Sequence, residues 1–230
     1  MTTKKPPYRP FAGIVPDLKY VAFIDILGFG DFVKDKFDRM IVVYQNILER
    51  WTDIRNYYYY PDVSLKIYSD SILLSSSDFV KIIGSINLLN MVTLWENFLI
   101  RGGIGYGKHI EVVDNDNFYV LSHALIEAVT IEKTIKHPCV ALSPNIHVEI
   151  EWWNPYVSNF LRKLIYFEDT MLVSPFSVVW GYSAMSRVKY LLKEYPHHRE
   201  KYEWFLRLYD AVSSGKPLIP DWVIEQYYEK

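Results

Sequence analysis

The sequence predicts an α+β fold in which a single domain holds the sheet and most of the helices. Three observations lead to this prediction. The chain has 230 residues, of which 50% are hydrophobic, so it can bury a sizeable core. Apolar runs of strand length alternate with amphipathic stretches of helix length over the first 145 residues. No internal repeat and no clear linker divides the chain, so one domain with a C-terminal elaboration is the simplest arrangement.

The first strand, the first helix and a hairpin are predicted in that order. Residues Lys19–Leu27 form a nearly continuous apolar run of β-branched and aromatic residues, which is typical of a buried strand. Apolar residues recur at spacings of three and four over residues 37–51, which predicts an amphipathic helix. Two short apolar strands within residues 63–75 flank Ser69–Asp70, and this pattern predicts a hairpin.

The next elements complete the order β-α-β-β-α-β, which a further helix and strand follow. They are a helix over 78–99, a strand over 102–113, a turn over 114–117, a helix over 122–134 and a strand over 139–142. This order is that of the ferredoxin-like, split βαβ arrangement with an added αβ pair.

The part of the chain beyond residue 145 has a weaker pattern. It predicts a helix over 150–164, a strand pair over 164–173 that turns at Glu168–Asp169, and a mostly helical stretch over 187–212 with an interruption near Pro196. The predicted organisation is an N-terminal arm over residues 1–18, a main domain over 19–195 and a helical C-terminal extension of that domain over 196–230.

Composition excludes several classes of function. The net charge is −2 and the basic residues are scattered, which argues against a nucleic-acid partner or an anionic membrane surface. The single cysteine, Cys139, excludes an intramolecular disulfide and a multi-cysteine zinc site. The longest apolar stretch, Val80–Ile100, is interrupted by polar residues and reads as an amphipathic helix, and residues 1–10 do not resemble a signal peptide. We therefore predict a cytoplasmic protein without a membrane partner.

Two aspartates are the candidate catalytic residues. Asp25 lies inside a strongly apolar strand, where an unpaired carboxylate is costly to bury. Asp70 lies at the tip of the predicted hairpin, and in a βαββ unit this hairpin is a neighbour of the first strand. The two carboxylates together suit hard divalent cations. Two ordinary interpretations remain open, since Asp25 could cap a following turn and Asp70 could be a simple turn residue.

Three sequence blocks carry a family resemblance. They are FIDILGFG at 23–30, LKIYSDSIL at 65–73 and IRGGIGYG at 100–107. In this order they resemble the class III nucleotidyl cyclase family, with Ser69 where glycine is usual. Within that family the blocks, together with ALIEAVTIEK at 124–133, are most similar to the pyrimidine (uridylate or cytidylate) cyclases of Pycsar antiphage defence systems.

The resemblance implies a metal site and a phosphate site within a cyclase-like catalytic domain. Asp25 and Asp70 would bridge two Mg²⁺ or Mn²⁺ ions, and the backbone carbonyl of Ile26 would complete one of the two metal sites. The segment Leu27–Gly30, which includes Gly28 and Phe29, would approach the triphosphate. Arg101 would bind the triphosphate through its forked guanidinium. An arginine that merely closes the junction between a helix and a strand remains an alternative for Arg101.

The chain departs from the family pattern at the sugar and base positions. The helix positions that usually carry Asn and Arg are Ile126 and Thr130 here. Lys66 stands where adenylyl cyclases have a base-reading lysine, and Tyr119 stands where a carboxylate is usual. Of the two residues that read a purine base in the family, only the lysine is thus present, which makes a different base plausible. Lys66 could equally be an outward-facing strand residue.

The resemblance implies a phosphorus–oxygen lyase. Its substrate would be a pyrimidine nucleoside triphosphate, with UTP favoured over CTP, and its products would be pyrophosphate and a 3′,5′-cyclic nucleotide (cUMP or cCMP). That product would be an antiviral signal read by a separate effector protein. The family also implies a homodimer with shared active sites. Two alternatives remain open: a purine (adenylyl or guanylyl) cyclase, and a catalytically silent cyclase-fold module that binds nucleotide or dimerises.

Overall fold

The structure is a computed structural model that describes residues 9, 11, 13–57, 60, 62–114 and 116–228. Most of the predicted arm over residues 1–18 therefore lies outside the described residues. The strands are β1 Asp17–Ile26, β2 Ser64–Tyr68, β3 Ser71–Ser76, β4 Ile100–Asp114, β5 Asn117–Ser122, β6 Val140–Leu142, β7 Leu164–Phe167 and β8 Thr170–Val173. The helices are α1 Phe29–Asp35, α2 Phe37–Tyr57, α3 Phe79–Trp95, α4 His123–Thr134, α5 Gly181–Glu194, α6 Arg199–Ser213 and α7 Asp221–Tyr228.

The eight strands of the described residues form one sheet in the order β2-β3-β1-β4-β6-β8-β7, and β5 pairs with β4 off this path. β1 is a central strand that pairs antiparallel with both β3 and β4. β6 pairs parallel with β4, as a crossover through α4 requires. The predicted α+β fold class, with its βαββαβ order, its added αβ pair and its C-terminal helices, is confirmed.

The two faces of the sheet are covered by different helices. Ala22, Ile24 and Ile26 of β1 belong to the large core cluster that also contains the buried residues of α2 and α3. Val21 instead packs with Ala124 of α4 in a small cluster on the other face. Since side chains alternate along a strand, the odd-numbered positions of β1, and so position 25, lie on the α4 face.

Two glycines of β4 let α4 lie directly on the sheet. A Cβ atom at Gly103 would lie 2.3 Å from the carbonyl oxygen of Ala128, and one at Gly105 would lie 2.2 Å from that of Ala124. Both contacts are far inside van der Waals distance and involve the backbone of the helix. This close approach brings the last turn of α4 over the start of β4.

The predicted helix over 150–164 is wrong. The structure has two short 3₁₀ turns, Ile150–Trp153 and Asn159–Leu161, with an irregular segment between them. Pro155 explains the break, because a proline disfavours the helical conformation of the residue before it. The guanidinium of Arg162 donates to the carbonyl of Asn154 at 2.6 Å, which stabilises the irregular path.

Strand β5 is an element that the sequence analysis missed. Asp116 lies in a turn, and the chain returns along β4 from Asn117 to Ser122 before α4 begins. The signal was available, because Phe118, Tyr119 and Val120 are all residue types enriched in strands. Ser122 caps α4, since its hydroxyl accepts a hydrogen bond from the backbone N–H of Leu125 at 3.0 Å.

The C-terminal helices build a second core against the far end of the sheet. Buried residues of α5 and α6, among them Val188 and Phe205, pack with Ile165 and Leu172 of the β7–β8 hairpin. The predicted interruption near Pro196 is confirmed as a 3₁₀ turn, Pro196–His198. Among the described residues, no helix is long and apolar enough to cross a membrane.

Candidate active site

The two candidate aspartates lie at the same end of β1. Asp25 is the penultimate residue of this strand, directly across from Ser71 on β3 and from Arg101 on β4. The backbone N–H of Ile26 donates to the carbonyl of Asp70 at 2.9 Å, so the hairpin turn is tied to the strand end. Ser69, beside Asp70, has a positive φ of 56°, which is the left-handed conformation of a tight turn. Sheet pairing and turn geometry therefore put both aspartates at the same end of the central strand β1.

Burial raises the pKa of the Asp25 carboxyl above its ordinary value. The charge of Arg101 opposes this effect, whereas the negative charges of Asp70 and Glu132 add to it, and Lys201 lowers it slightly. Asp70 also contributes to the raised pKa of Tyr44, which burial brings to about 12. The end of β1 is thus a partly buried site with an excess of negative charge, where a bound cation is electrostatically favoured.

Asp25 and Asp70 offer carboxylate oxygens, which are ligands that hard divalent cations prefer. Among the residues that the structure describes, no group of three or more His, Cys, Asp or Glu side chains is arranged to hold a metal. A zinc-type cage is therefore not formed by these residues. Mg²⁺ is commonly held by only one or two carboxylates, with water and substrate phosphate oxygens as the other ligands. The negative charge at Asp25 and Asp70 suits this second kind of site.

Arg101 joins Asp25 to a carboxylate that the sequence analysis missed. Its Nη2 atom lies 3.3 Å from Oδ2 of Asp25 and 2.6 Å from Oε1 of Glu132. Glu132 lies in the last turn of α4, and its side chain is only 9% exposed. The close packing of α4 on Gly103 and Gly105 makes this contact possible. A glutamate in a helix is ordinarily solvated, so only the tertiary contact identifies its role.

Lys66 is held in a second charged cluster on the α4 face of the sheet. Its ammonium donates to Glu111 at 2.5 Å and to the hydroxyl of Ser64 at 2.8 Å. It also lies 4.7 Å from the centre of the Phe118 ring. A ring nitrogen of His109, whose side chain is fully buried, lies 2.9 Å from the other carboxylate oxygen of Glu111. These contacts fix the ammonium of Lys66, which is therefore not a free surface lysine.

The structure does not bring Tyr119 to Lys66. In the β4–β5 ladder, Tyr119 pairs with Val112, whereas Phe118 pairs with Val113. Glu111 and Val113 share one face of β4 and Val112 lies on the other, because side chains alternate along a strand. Tyr119 accordingly lies on the face opposite Lys66, where its ring is 6.1 Å from that of Phe11. Phe118 is the aromatic residue beside Lys66, and sequence spacing alone did not reveal this.

The remaining candidate residues have varied environments. Gly28 has a φ of 80°, the left-handed conformation that ends β1 and starts α1. The side chain of Phe29 is buried against Tyr44, with ring centres 5.4 Å apart, so only its backbone can face a ligand. On α4, Ile126 is exposed, and the hydroxyl of Thr130 donates to the carbonyl of Ile126. Neither side chain offers a charge to a phosphate.

Glu111 predicts a dependence of stability on pH. Burial opposes its ionisation, but hydrogen bonds from His109 and Lys66 outweigh burial and lower the pKa from 4.5 to about 2. A lowered pKa in the folded state means that this stabilisation is complete above pH 4.5 and is lost as the pH falls towards 2. We expect Glu111→Gln to reduce the free energy of unfolding at pH 7 by about 1–3 kcal/mol and to weaken the acid dependence. Urea titrations across this range test it, and an unchanged pH profile in the variant would contradict the assignment.

Comparisons with known proteins place the chain beside nucleotide cyclases at low identity. No protein-family model matches the chain. No curated protein matches it either. It is similar to the solved structure of the adenylyl cyclase CyaB from P. aeruginosa, with 14% identity and a TM-score of 0.44 over 56% of this chain and 78% of that one.

Two guanylyl cyclase domains also match at low identity. The guanylate cyclase domain of RhGC from Catenaria anguillulae, in complex with GTP, has 16% identity and a TM-score of 0.45 over 55% of this chain and 78% of that one. A double mutant of the guanylyl cyclase domain of the RhoGC fusion protein from Blastocladiella emersonii has 14% identity and a TM-score of 0.49 over 68% of this chain and 93% of that one.

Proposed function

We propose that this chain is a nucleotide cyclase that converts a pyrimidine nucleoside triphosphate, preferably UTP, to a 3′,5′-cyclic nucleotide and pyrophosphate. The observation that carries the proposal is the position of Asp25 and Asp70 at one end of β1, with the guanidinium of Arg101 beside Asp25. We propose further that the cyclic nucleotide is an antiviral signal read by a separate effector protein. This last step follows from the sequence blocks that resemble antiphage pyrimidine cyclases.

In the proposed reaction the ribose 3′-oxygen attacks the α-phosphorus of the same nucleotide. A bond forms between this oxygen and the α-phosphorus, the bond from the α-phosphorus to the bridging oxygen of the β-phosphate breaks, the hydroxyl proton passes to solvent and pyrophosphate leaves. Divalent cations held by Asp25, Asp70 and the Ile26 carbonyl would lower the pKa of the 3′-hydroxyl and neutralise the leaving group. Glu132 holds the guanidinium of Arg101 beside this centre, where it can donate to phosphate oxygens.

The cluster around Lys66 supports recognition of a base. Its ammonium is a fixed donor and the carboxylate of Glu111 is an adjacent acceptor. A uracil edge offers a carbonyl oxygen to the first and an N–H to the second, while the ring of Phe118 gives an apolar surface for stacking. A site that pairs its base by hydrogen bonds discriminates strongly, because a mismatched base leaves buried polar groups unpaired.

A homodimer with shared sites is the second part of the proposal. Large apolar side chains are exposed along the β4–β5 hairpin and on α4: Val113 is 75% exposed, Leu121 58% and Ile126 66%. We propose that a second copy covers part of this exposed apolar surface. The absence of a charge at Ile126 and Thr130 also favours a partner or another element that supplies cations to the nucleotide.

One observation favours a second candidate function. The guanidinium of Arg101 already neutralises Asp25, as a structural ion pair would. A cyclase-fold module that binds nucleotide without turnover would keep this ion pair when nucleotide is bound. A cyclase would have to exchange it for metal and phosphate contacts. The two candidates differ in whether Mn²⁺ together with nucleotide yields a cyclic product.

A competition assay tests the base preference. Purified protein is incubated with Mn²⁺ and equimolar ATP, GTP, CTP and UTP, and the cyclic products are separated by mass. Predominant cyclic UMP is expected, while predominant cyclic AMP or GMP would support a purine cyclase instead. Light scattering on the same sample is expected to give twice the chain mass of 27.2 kDa. An active monomer would contradict the shared-site arrangement.

We expect both the charge and the forked shape of Arg101 to contribute to kcat/KM. We expect Arg101→Ala to lower kcat/KM for UTP by about 10- to 100-fold, the loss of one charge-assisted hydrogen bond. Arg101→Lys should retain part of the activity, since it keeps the charge and loses the fork. Arg50→Ala, which removes an ion pair to Glu96 at 3.1 Å, is the matched control and should leave kcat/KM unchanged. Equal activity of all the variants would show that Arg101 only closes the helix–strand junction.

A further inference from the structure

A cavity of about 400 Å³ lies between α1, α2, the turn that follows α3 and the turn between α5 and α6. This volume is within the range of pockets that bind small molecules. Val43 and Phe98 line the cavity, and both belong to the core cluster of α2 and α3. Asp25 lies on the opposite face of the sheet, and neither it nor Asp70 or Arg101 lines the cavity. The cavity is therefore distinct from the candidate active site.

Two cations lie at one wall of the cavity. The ammonium nitrogen of Lys36 is 5.4 Å from the centre of the Phe32 ring, and the guanidinium carbon of Arg39 is 5.7 Å from the same centre. All three residues line the cavity, and both cations are exposed, so a ligand can reach them from solvent. Among the described residues, neither cation forms an ion pair or a side-chain hydrogen bond. We call Lys36 and Arg39 the cation pair, and an anion that contacts both would offset their mutual repulsion.

The carboxylates of the cavity do not fully neutralise the cation pair. Asp31, Asp35 and Glu96 also line the cavity. Arg50 lies 3.1 Å from Glu96, and Lys34 lies 3.8 Å from Asp31, although neither of these cations lines the cavity. Four cations thus face three carboxylates, which leaves one net positive charge when the histidines are neutral. This balance favours an anionic ligand over a cationic one.

Two amides and the opposite wall add neutral hydrogen-bonding groups. Asn46 and Asn97 are partly buried and line the cavity. The side-chain oxygen of Asn97 accepts from Arg187 at 2.8 Å, so its side-chain NH₂ group can still donate to a ligand. His198 and Tyr202 line the wall that the C-terminal helices form. These groups can bind the polar atoms of a ligand, while the core of α2 and α3 offers it an apolar surface.

We propose that this cavity binds a small amphipathic anion, a molecule with an aromatic or apolar body and one phosphate or carboxylate group. The anionic group binds Lys36 and Arg39, which are the cationic side chains that such groups prefer. The body lies against Val43 and Phe98. The proposal goes beyond the proposed function and does not depend on it.

The ligand also contacts the C-terminal helices. The cavity reaches Gly28 and His198, where a Cβ atom at Gly28 would lie 3.5 Å from Nε2 of His198. A molecule bound there touches the start of α1 on one side and the turn between α5 and α6 on the other. Because binding to the folded state stabilises it, a bound ligand should raise the thermal midpoint.

The test uses probes that share one body and differ in the polar group. They are 1-naphthyl phosphate, 1-naphthoate and the uncharged 1-naphthol, with inorganic phosphate as the anion without a body. Calorimetry at fixed ionic strength and the thermal midpoint are measured without nucleotide or metal. The variants are Lys36→Met and Arg39→Met, which each remove one charge, and Val42→Trp, which fills the cavity from a position that is 53% exposed. Lys189→Met is the control, because Lys189 is an exposed lysine of α5 that does not line the cavity.

We expect at least one of the two naphthyl anions to bind about tenfold or more tightly than 1-naphthol and inorganic phosphate, and to raise the thermal midpoint. The tighter of the two identifies the anionic group. Lys36→Met and Arg39→Met should each weaken this binding by about tenfold, as the loss of a charged hydrogen bond predicts. Val42→Trp should weaken it as well, and Lys189→Met should match the wild type.

Three results would overturn the proposal. They are no binding of either anion, binding of 1-naphthol as tight as that of the anions, and unchanged binding in both Lys36→Met and Arg39→Met. Arg101→Ala distinguishes this cavity from the candidate active site, since it should bind the anions as the wild type does. Loss of binding in Arg101→Ala alone would place the probe at the active site and would also contradict the proposal. Cyclic product plays no part in these measurements, so a failure of the proposed function leaves their outcome unchanged.

Discussion

Replacing Asp25 or Asp70 with asparagine is expected to abolish cyclisation while the fold is retained. Each change removes one negative charge from the site and keeps the shape of the side chain. A single electrostatic contact to a transition state is typically worth about 3–4 kcal/mol, so turnover should fall by at least about 100- to 1,000-fold. Cyclic nucleotide formation at saturating Mn²⁺ measures this loss, and the thermal midpoint measures folding.

The matched control for both variants is Asp53→Asn. Asp53 is an exposed carboxylate on α2, and its replacement should leave turnover unchanged. Folding of Asp25→Asn should be close to that of the wild type, because Arg101 keeps its ion pair with Glu132 at 2.6 Å. Near-normal turnover in either Asp25→Asn or Asp70→Asn at saturating Mn²⁺ would show that this carboxylate does not take part in the reaction.

A large effect on stability is expected at Gly103 and Gly105. Adding a methyl group at either position drives it into a backbone carbonyl of α4, at 2.3 Å and 2.2 Å. The helix must then move off the sheet. We expect Gly103→Ala and Gly105→Ala each to reduce the free energy of unfolding by about 1–3 kcal/mol, the usual cost of overpacking. Denaturant titration measures this change.

Gly30→Ala is the control for these two variants. No atom lies within 4 Å of a Cβ built at Gly30, which is in helix α1. Alanine is favoured over glycine in a helix by about 1 kcal/mol, so this variant should be as stable as the wild type or more stable. Equal stability of Gly103→Ala and the wild type would contradict the close packing of α4 on β4.

The elements around the site could be predicted because local pattern determines them. β1 and the β2–β3 hairpin are short apolar runs with a turn between them, and α2 repeats its apolar residues with a helical period. β5 was missed because its six residues lie between a turn and a capped helix, where a strand and a linker have similar patterns. The predicted helix over 150–164 is wrong because Pro155 disfavours the helical conformation of the residue before it, a local effect that a helical period does not show.

The contacts that complete the site could not be predicted, since they depend on how distant elements pack. Glu132 meets Arg101 only because two glycines let α4 approach β4. Phe118, and not Tyr119, lies beside Lys66 because of the strand register, which shifts every side chain to the other face when it changes by one residue. His198 comes near Gly28 because the helices that flank it pack against β7 and β8, and no local pattern in the sequence indicates this contact.

The measurement that tests the central claim most directly is the identity of the products formed from UTP with Mn²⁺. If Asp25 and Asp70 form a cyclase site, mass spectrometry should find cyclic UMP and pyrophosphate in equal amounts, and chelation of the metal should stop their formation. Uridine monophosphate or diphosphate as the main product would show hydrolysis instead. Unchanged UTP, CTP, ATP and GTP after prolonged incubation would contradict a cyclase and leave a nucleotide-binding module.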